Sequence, residues 1–143
     1  MGGVLQPGLP RMLWDTVRTR DGEITRALLD RGVADLTPSQ ARAVLLIDRT
    51  GTRLTELAQR AGVTKQAMMQ MVDDLQAAGC VRRAPDPEDG RAKVVKLTAR
   101  GLRQRAQARK AMAVVEARIR RRLGHRRYEG LKSILEELSA EEE

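Results

Sequence analysis

Apolar residues recur at three- and four-residue intervals along most of this chain, the spacing of helices that bury one face. Leu13, Val17, Ile24 and Leu28 form one such stripe and predict a first helix over about 10–30. Gly22 weakens its middle and invites a kink, and Gly32 stops it. Thr37-Pro38-Ser39-Gln40 then gathers three start signals: a capping hydroxyl, a proline suited to the first helical position, and a glutamine that completes a capping box. Ala41, Val44, Leu45 and Ile47 carry this second helix to Thr50-Gly51.

Shorter elements follow. Thr55 to Ala61 predicts a third helix, with Glu56 near its positive end and Gly62 as a left-handed stop. Thr64 caps a fourth helix that runs to about Ala78 and closes at Gly79. Cys80–Ala84 and Ala92–Leu97 are apolar stretches on either side of Pro85-Asp86-Pro87-Glu88-Asp89-Gly90-Arg91, a segment dense in turn residues, and predict a β-hairpin. Beyond Thr98, Leu102, Ala106, Met112, Val115, Ile119 and Leu123 mark a long helix that Gly124 breaks. Tyr128, Leu131, Leu135 and Leu138 mark a final one.

The expected fold is therefore mainly α with a small β-hairpin. It divides into a lead and N-terminal helix (1–36), a middle unit of short helices and hairpin (37–98), and C-terminal helices (99–143). The stripes in the first and last regions are too extensive for the middle unit to cover, so they predict a homodimer. Leu13, Val17, Leu123, Leu131, Leu135 and Leu138 are its expected contacts.

Composition narrows the partners. With no Phe, one Trp and one Tyr, the chain lacks the stacking faces of a single-stranded RNA platform. The net charge of +8 is unevenly spread. Residues 1–36 balance, residues 37–98 hold ten basic groups against seven acidic, and residues 99–143 hold twelve against seven. A mildly basic middle suits phosphate contact. One cysteine excludes an intrachain disulfide, no apolar run approaches a membrane span, and MGGVLQPGLP lacks the features of a signal peptide. It is expected to be a short flexible lead to a protein of the cytoplasm.

Leu54–Leu75 carries the functional signal. A helix-turn-helix needs a small residue where its helices meet, a turn that visits positive φ, and apolar side chains locking the pair. Ala58 and Gly62 supply the first two, and Leu57, Ala61, Val63, Met68 and Met71 the lock. If Met68, Met71, Val72 and Leu75 face inward, Lys65, Gln66, Met69, Gln70 and Asp73 share the outer strip. Gln bonds adenine bidentately, Lys reaches phosphate or guanine, and Met meets a thymine methyl. With Thr64 at the cap, Lys65, Gln66, Met69 and Gln70 form the expected major-groove surface, while Asp73 would repel phosphate and is left out. Arg91 and Lys93 place positive charge on the hairpin, where they suit minor-groove or backbone contact. Asp89, two residues before Arg91, is expected to hold its guanidinium and so to stabilise the loop.

This order of elements, ending in DPEDGRAKVVKLTARG, resembles the MarR family of winged helix-turn-helix regulators. Asp89, Arg91, Leu97, Thr98 and Gly101 stand at the family's wing positions, and GVTKQAMMQMVDDLQAAG is similar to its recognition helix. Gly90 departs from the second Arg that many members carry. The resemblance covers residues 37–101 closely. It implies a homodimer on a pseudo-palindromic operator in double-stranded DNA, built from the terminal helices. It also implies release of DNA when a small phenolic or lipophilic effector fills a crevice between dimer helices and winged domain. Trp14 is the candidate crevice residue. The expected function is a ligand-responsive repressor.

Other residues carry less. Cys80 begins a strand and suits core packing. His125 is the only histidine and has no companions at ligand spacing, so no metal, cofactor or catalytic constellation is expected. The Arg-rich run 118–127 suits a solvated face meeting the acidic end, Glu136 to Glu143. Two other functions stay open: a winged-helix module that docks proteins, and a thiol redox sensor centred on Cys80.

Overall fold

The computed structural model describes residues 6–140; the first five residues of the expected lead and the last three acidic residues lie outside them. The elements are α1 (Leu9–Leu29), α2 (Pro38–Leu46), α3 (Leu54–Ala61), α4 (Lys65–Ala77), β1 (Val81–Pro85), β2 (Lys93–Leu97), α5 (Ala99–Leu123) and α6 (His125–Ala140). α1 runs unbroken through Gly22. The capping box of α2 forms as its sequence demands: the Gln40 amide donates to Thr37 Oγ1, and the Thr37 amide to Gln40 Oε1.

α2 ends earlier than its apolar pattern predicts. Ile47 is buried but extended, and a turn closed by the Gly51 amide on the Asp48 carbonyl leads the chain to Thr52. Thr52 exchanges backbone hydrogen bonds with Val95 at 2.9 and 2.8 Å, adding one rung beside β2. Its hydroxyl accepts from the Asp48 amide, so this almost fully buried polar group is satisfied. Two guanidiniums from elsewhere close the helix end. Arg60 on α3 donates to the Leu46 carbonyl at 2.9 Å, and Arg105 on α5 to the Ile47 carbonyl at 3.0 Å. Cations are favoured at that negative pole, and these two tie α2 to its neighbours.

β1 and β2 pair antiparallel, Val81 opposite Leu97 and Pro85 opposite Lys93. Val81, Ala84, Val94, Val95 and Leu97 are buried, while Arg82 and Arg83 face out. A single cluster of buried residues draws on all three regions, from Ile24 and Leu28 through Val44, Leu57, Met68 and Val72 to Ala108 and Val115.

The packing face of α5 differs from the expected stripe. Gly101, Ala108, Ala111 and Val115 are buried, with Met112 and Ile119 half-buried, whereas Leu102 and Ala106 are exposed. Small residues lie inward because α1 and α2 both pack closely on this helix. Leu102 is turned away, while Met112 and Ile119 pack at the margin of the core. Gly124 separates α5 from α6, and buried Tyr128 joins them: its hydroxyl donates to Glu116, with the Arg120 guanidinium 4.7 Å from its ring centre.

Candidate nucleic-acid interface

The helix-turn-helix forms where its small residues require it. Gly62 adopts φ 66°, ψ 31°, a left-handed conformation that closes α3 and reverses the chain. Thr64 caps α4, its hydroxyl accepting from the Ala67 amide at 3.1 Å. The lock differs in part from the expected one. Leu57, Ala58, Met68, Val72 and Leu75 are buried, but Met71 is only half-buried and Val63 is 37% exposed. Val63 sits on the turn itself, where the chain leaves the core between the two helices.

Thr64, Lys65, Gln66, Met69 and Gln70 are all exposed, along the outer side of α4. Gln70 is partly engaged, its amide donating to Asp74 at 3.2 Å. Asp73 is bound to Arg83 of β1 at 2.7 Å, and Arg83 also donates to Gln76. This brace runs from the hairpin to α4 and neutralises the Asp73 carboxylate, which would otherwise disfavour phosphate beside that strip.

Arg91 and Lys93 are exposed at the hairpin. The expected Asp89–Arg91 guanidinium pair is not formed. Asp89 Oδ1 accepts instead from the Arg91 backbone amide at 3.1 Å, because in a tight turn a carboxylate reaches the amide two residues on before any side chain. The loop's acids are held by Arg53, which sequence reasoning passed over. Its Nε donates to Asp86 at 2.8 Å, and its Nη2 lies 3.9 Å from Asp89. The Glu88 amide and then Arg53 hold the Asp86 carboxyl below its ordinary range, so it stays ionised. The sequence signal was an arginine in a helix-capping slot.

A groove of about 450 Å³ opens between α2, the helix-turn-helix and α5, lined by Arg42, Leu45, Leu46, Arg60, Met71 and Met112 among others. Trp14 does not line it. That residue is 82% exposed on α1, above an apolar face with Leu13 and Val17. Leu131, Ile134, Leu135 and Leu138 form a second exposed apolar face on α6, and Leu123 is half-buried beside it. Cys80 is fully buried and burial raises its thiol pKa, which disfavours the reactive thiolate. Among the described residues, no three His, Cys, Asp or Glu side chains gather as a metal ion needs, and no helix is long and apolar enough to cross a membrane.

Residues 34–92 match the sequence profile of the MarR family. The HTH-type transcriptional repressor Rv2887 of Mycobacterium tuberculosis is 35% identical over 122 residues, which cover 83% of this chain and 84% of the relative. The solved structure of that protein in complex with salicylic acid is 30% identical, covers 95% of this chain and 99% of the other, and has a TM-score of 0.67. The transcriptional repressor CouR of Rhodococcus jostii RHA1, solved bound to a 23-mer DNA duplex, is 27% identical with a TM-score of 0.79 and covers 92% of each chain.

Proposed function

The chain belongs to the MarR family, and we propose that it is a ligand-responsive repressor that binds a pseudo-palindromic operator as a homodimer in the cytoplasm. The observation that carries this reading is the outer strip of α4, where Lys65, Gln66, Met69 and Gln70 are exposed beside a hairpin that presents Arg91 and Lys93. Two Gln, one Lys and one thioether suit base edges in the major groove, and two cations suit the adjoining backbone or minor groove. The likeness to a repressor solved on duplex DNA supports the same assignment. Thr64 orders the helix start as its cap.

Exposed Leu13 and Val17 on α1 and Leu131, Leu135 and Leu138 on α6 support a dimer built from these ends, with Leu123 at its margin. The 37–98 unit is the DNA-binding domain in this reading, flanked by dimerisation regions at 1–36 and 99–143. The groove beside α2 is the effector site, of a size for a small aromatic or lipophilic acid. Salicylic acid bound to the Rv2887 structure supports that class. Trp14 contributes to such a site only across a dimer, from the partner's α1. The protein acts by binding, not by catalysis. Binding-site selection from random duplexes, followed by anisotropy titration at several salt concentrations, tests the reading. Sequence-independent weak binding of every duplex would overturn it in favour of a protein-docking module.

A further inference from the structure

We propose that Arg53 is a positioning residue that orients the wing on DNA, tying the loop that carries Arg91 to the start of the helix-turn-helix. The proposal rests on the hairpin acting as a wing.

Arg53 is poorly suited to its own local position. It is the N-cap of α3, and it makes no capping hydrogen bond. Short polar side chains there satisfy an orphan amide, worth about 1 kcal/mol, and a guanidinium at the positive pole of a helix is unfavourable besides. The side chain serves the hairpin instead. It reaches across 33 residues of sequence to Asp86, whose carboxylate is only 12% exposed. The other Asp86 oxygen accepts from the Glu88 amide, and the Asp86 amide donates to the Ala92 carbonyl. Asp89 accepts from the Arg91 amide and approaches Arg53. One guanidinium thus engages both carboxylates that shape the loop.

Its chain neighbour adds the second fixed point, since Thr52 pairs with Val95 at the middle of the same hairpin. Two-stranded hairpins are marginal alone. Residues 52 and 53 hold this one in mid-strand and near its tip. Arg53 also offsets the negative charge of Asp86 and Asp89, which would otherwise oppose a phosphate held by Arg91 close by in the same loop.

Arg53→Ser separates positioning from simple support, because serine is a better N-cap. The gained cap offsets the lost Arg53–Asp86 link, so its melting temperature should stay close to that of the parent. Its affinity for a selected operator should nevertheless fall about tenfold, as expected when each subunit no longer reaches one backbone phosphate. Hydroxyl-radical protection outside the recognition-helix footprint should disappear, while base preference on the major-groove side is kept. Adding Asp86→Asn, which keeps the acceptor for Glu88 but removes the charge left unpaired, should recover part of the affinity. Parental affinity, salt slope and footprint in Arg53→Ser, with Arg91→Ala impaired, would overturn the proposal. A fall in melting temperature that tracks the fall in affinity would overturn it too. An inert Arg91→Ala would instead remove the wing reading on which it stands.

Discussion

Gly101, in the first turn of α5, packs directly on the backbone of Cys80: a Cβ at position 101 would stand 2.9 Å from the Cys80 carbonyl carbon and nearer still to its oxygen. The contact is pinned from both sides. The Thr98 amide donates to the Cys80 carbonyl at 3.0 Å, and the Thr98 hydroxyl donates to the Gly79 carbonyl while accepting from the Gly101 amide. Gly101 therefore sets how closely α5 approaches the strand that leaves the recognition helix. Gly101→Ala should destabilise the fold at or above the upper end of the roughly 1–3 kcal/mol of ordinary overpacking, because the obstacle is backbone. Urea unfolding measures it, and a loss below about 0.5 kcal/mol, the size of a neutral surface change, would contradict this packing.

Cys80 lies in the same contact and its thiol is sealed. Alkylation under native conditions should be slow and limited by unfolding. Cys80→Ser should cost about 1–2 kcal/mol as a buried hydroxyl, and peroxide should leave DNA affinity unchanged. Peroxide-triggered release that the serine variant abolishes is the result that would restore the redox-sensor reading.

The two DNA-facing surfaces should respond differently to truncation. Gln66→Ala and Gln70→Ala should weaken the selected operator by roughly 1–3 kcal/mol at particular base pairs and scarcely affect scrambled duplex. Arg91→Ala should weaken both and lower the salt slope by about one ion per subunit. Asp74→Ala frees the Gln70 amide, so a changed base preference in that variant checks whether the bond between them orients Gln70. Equivalent bases should recur about ten base pairs apart, as two-fold symmetry requires.

The exposed stripes on α1 and α6 should be covered in solution. Sedimentation at micromolar concentration is expected to give twice the 15.9 kDa chain mass. Leu135→Asp, which places a charge in the centre of the α6 stripe, should shift the equilibrium to monomer and weaken operator binding with it. A parent that stays monomeric at every concentration would refute the dimer.

Acid should loosen the links around α2 and the wing. Asp48 is held below its ordinary pKa chiefly by Arg60, Asp35 chiefly by Arg100, and Asp86 by the Glu88 amide and Arg53. A carboxyl with a depressed folded pKa adds stability above its unfolded value, near 4. That stability disappears as pH falls through the folded value. Urea midpoints should be flat from pH 7 to 5 and drop below pH 4. Asp48→Asn should start lower at pH 7 and drop less, and an unaltered slope in that variant would show that the Arg60 link carries no stability.

The sequence by itself determined the elements whose causes are local. The Thr37–Gln40 box, the Gly62 turn and the Thr64 cap each depend on residues no more than a few positions apart, so their signals are complete in a short window. Periodicity likewise marked Met68, Val72 and Leu75 as inward and left Lys65, Gln66, Met69 and Gln70 outside. Only the tertiary structure decided what depends on distant partners. It drew Thr52 to Val95, which ended α2 at Leu46 against its own apolar pattern. It turned the small residues of α5 inward, because two neighbouring helices press on that face. It gave Asp86 to Arg53 across 33 residues and left Asp89 the Arg91 amide in place of its guanidinium. An ion pair between remote segments has no period and no fixed spacing, and it exists only once the fold has brought its charges together.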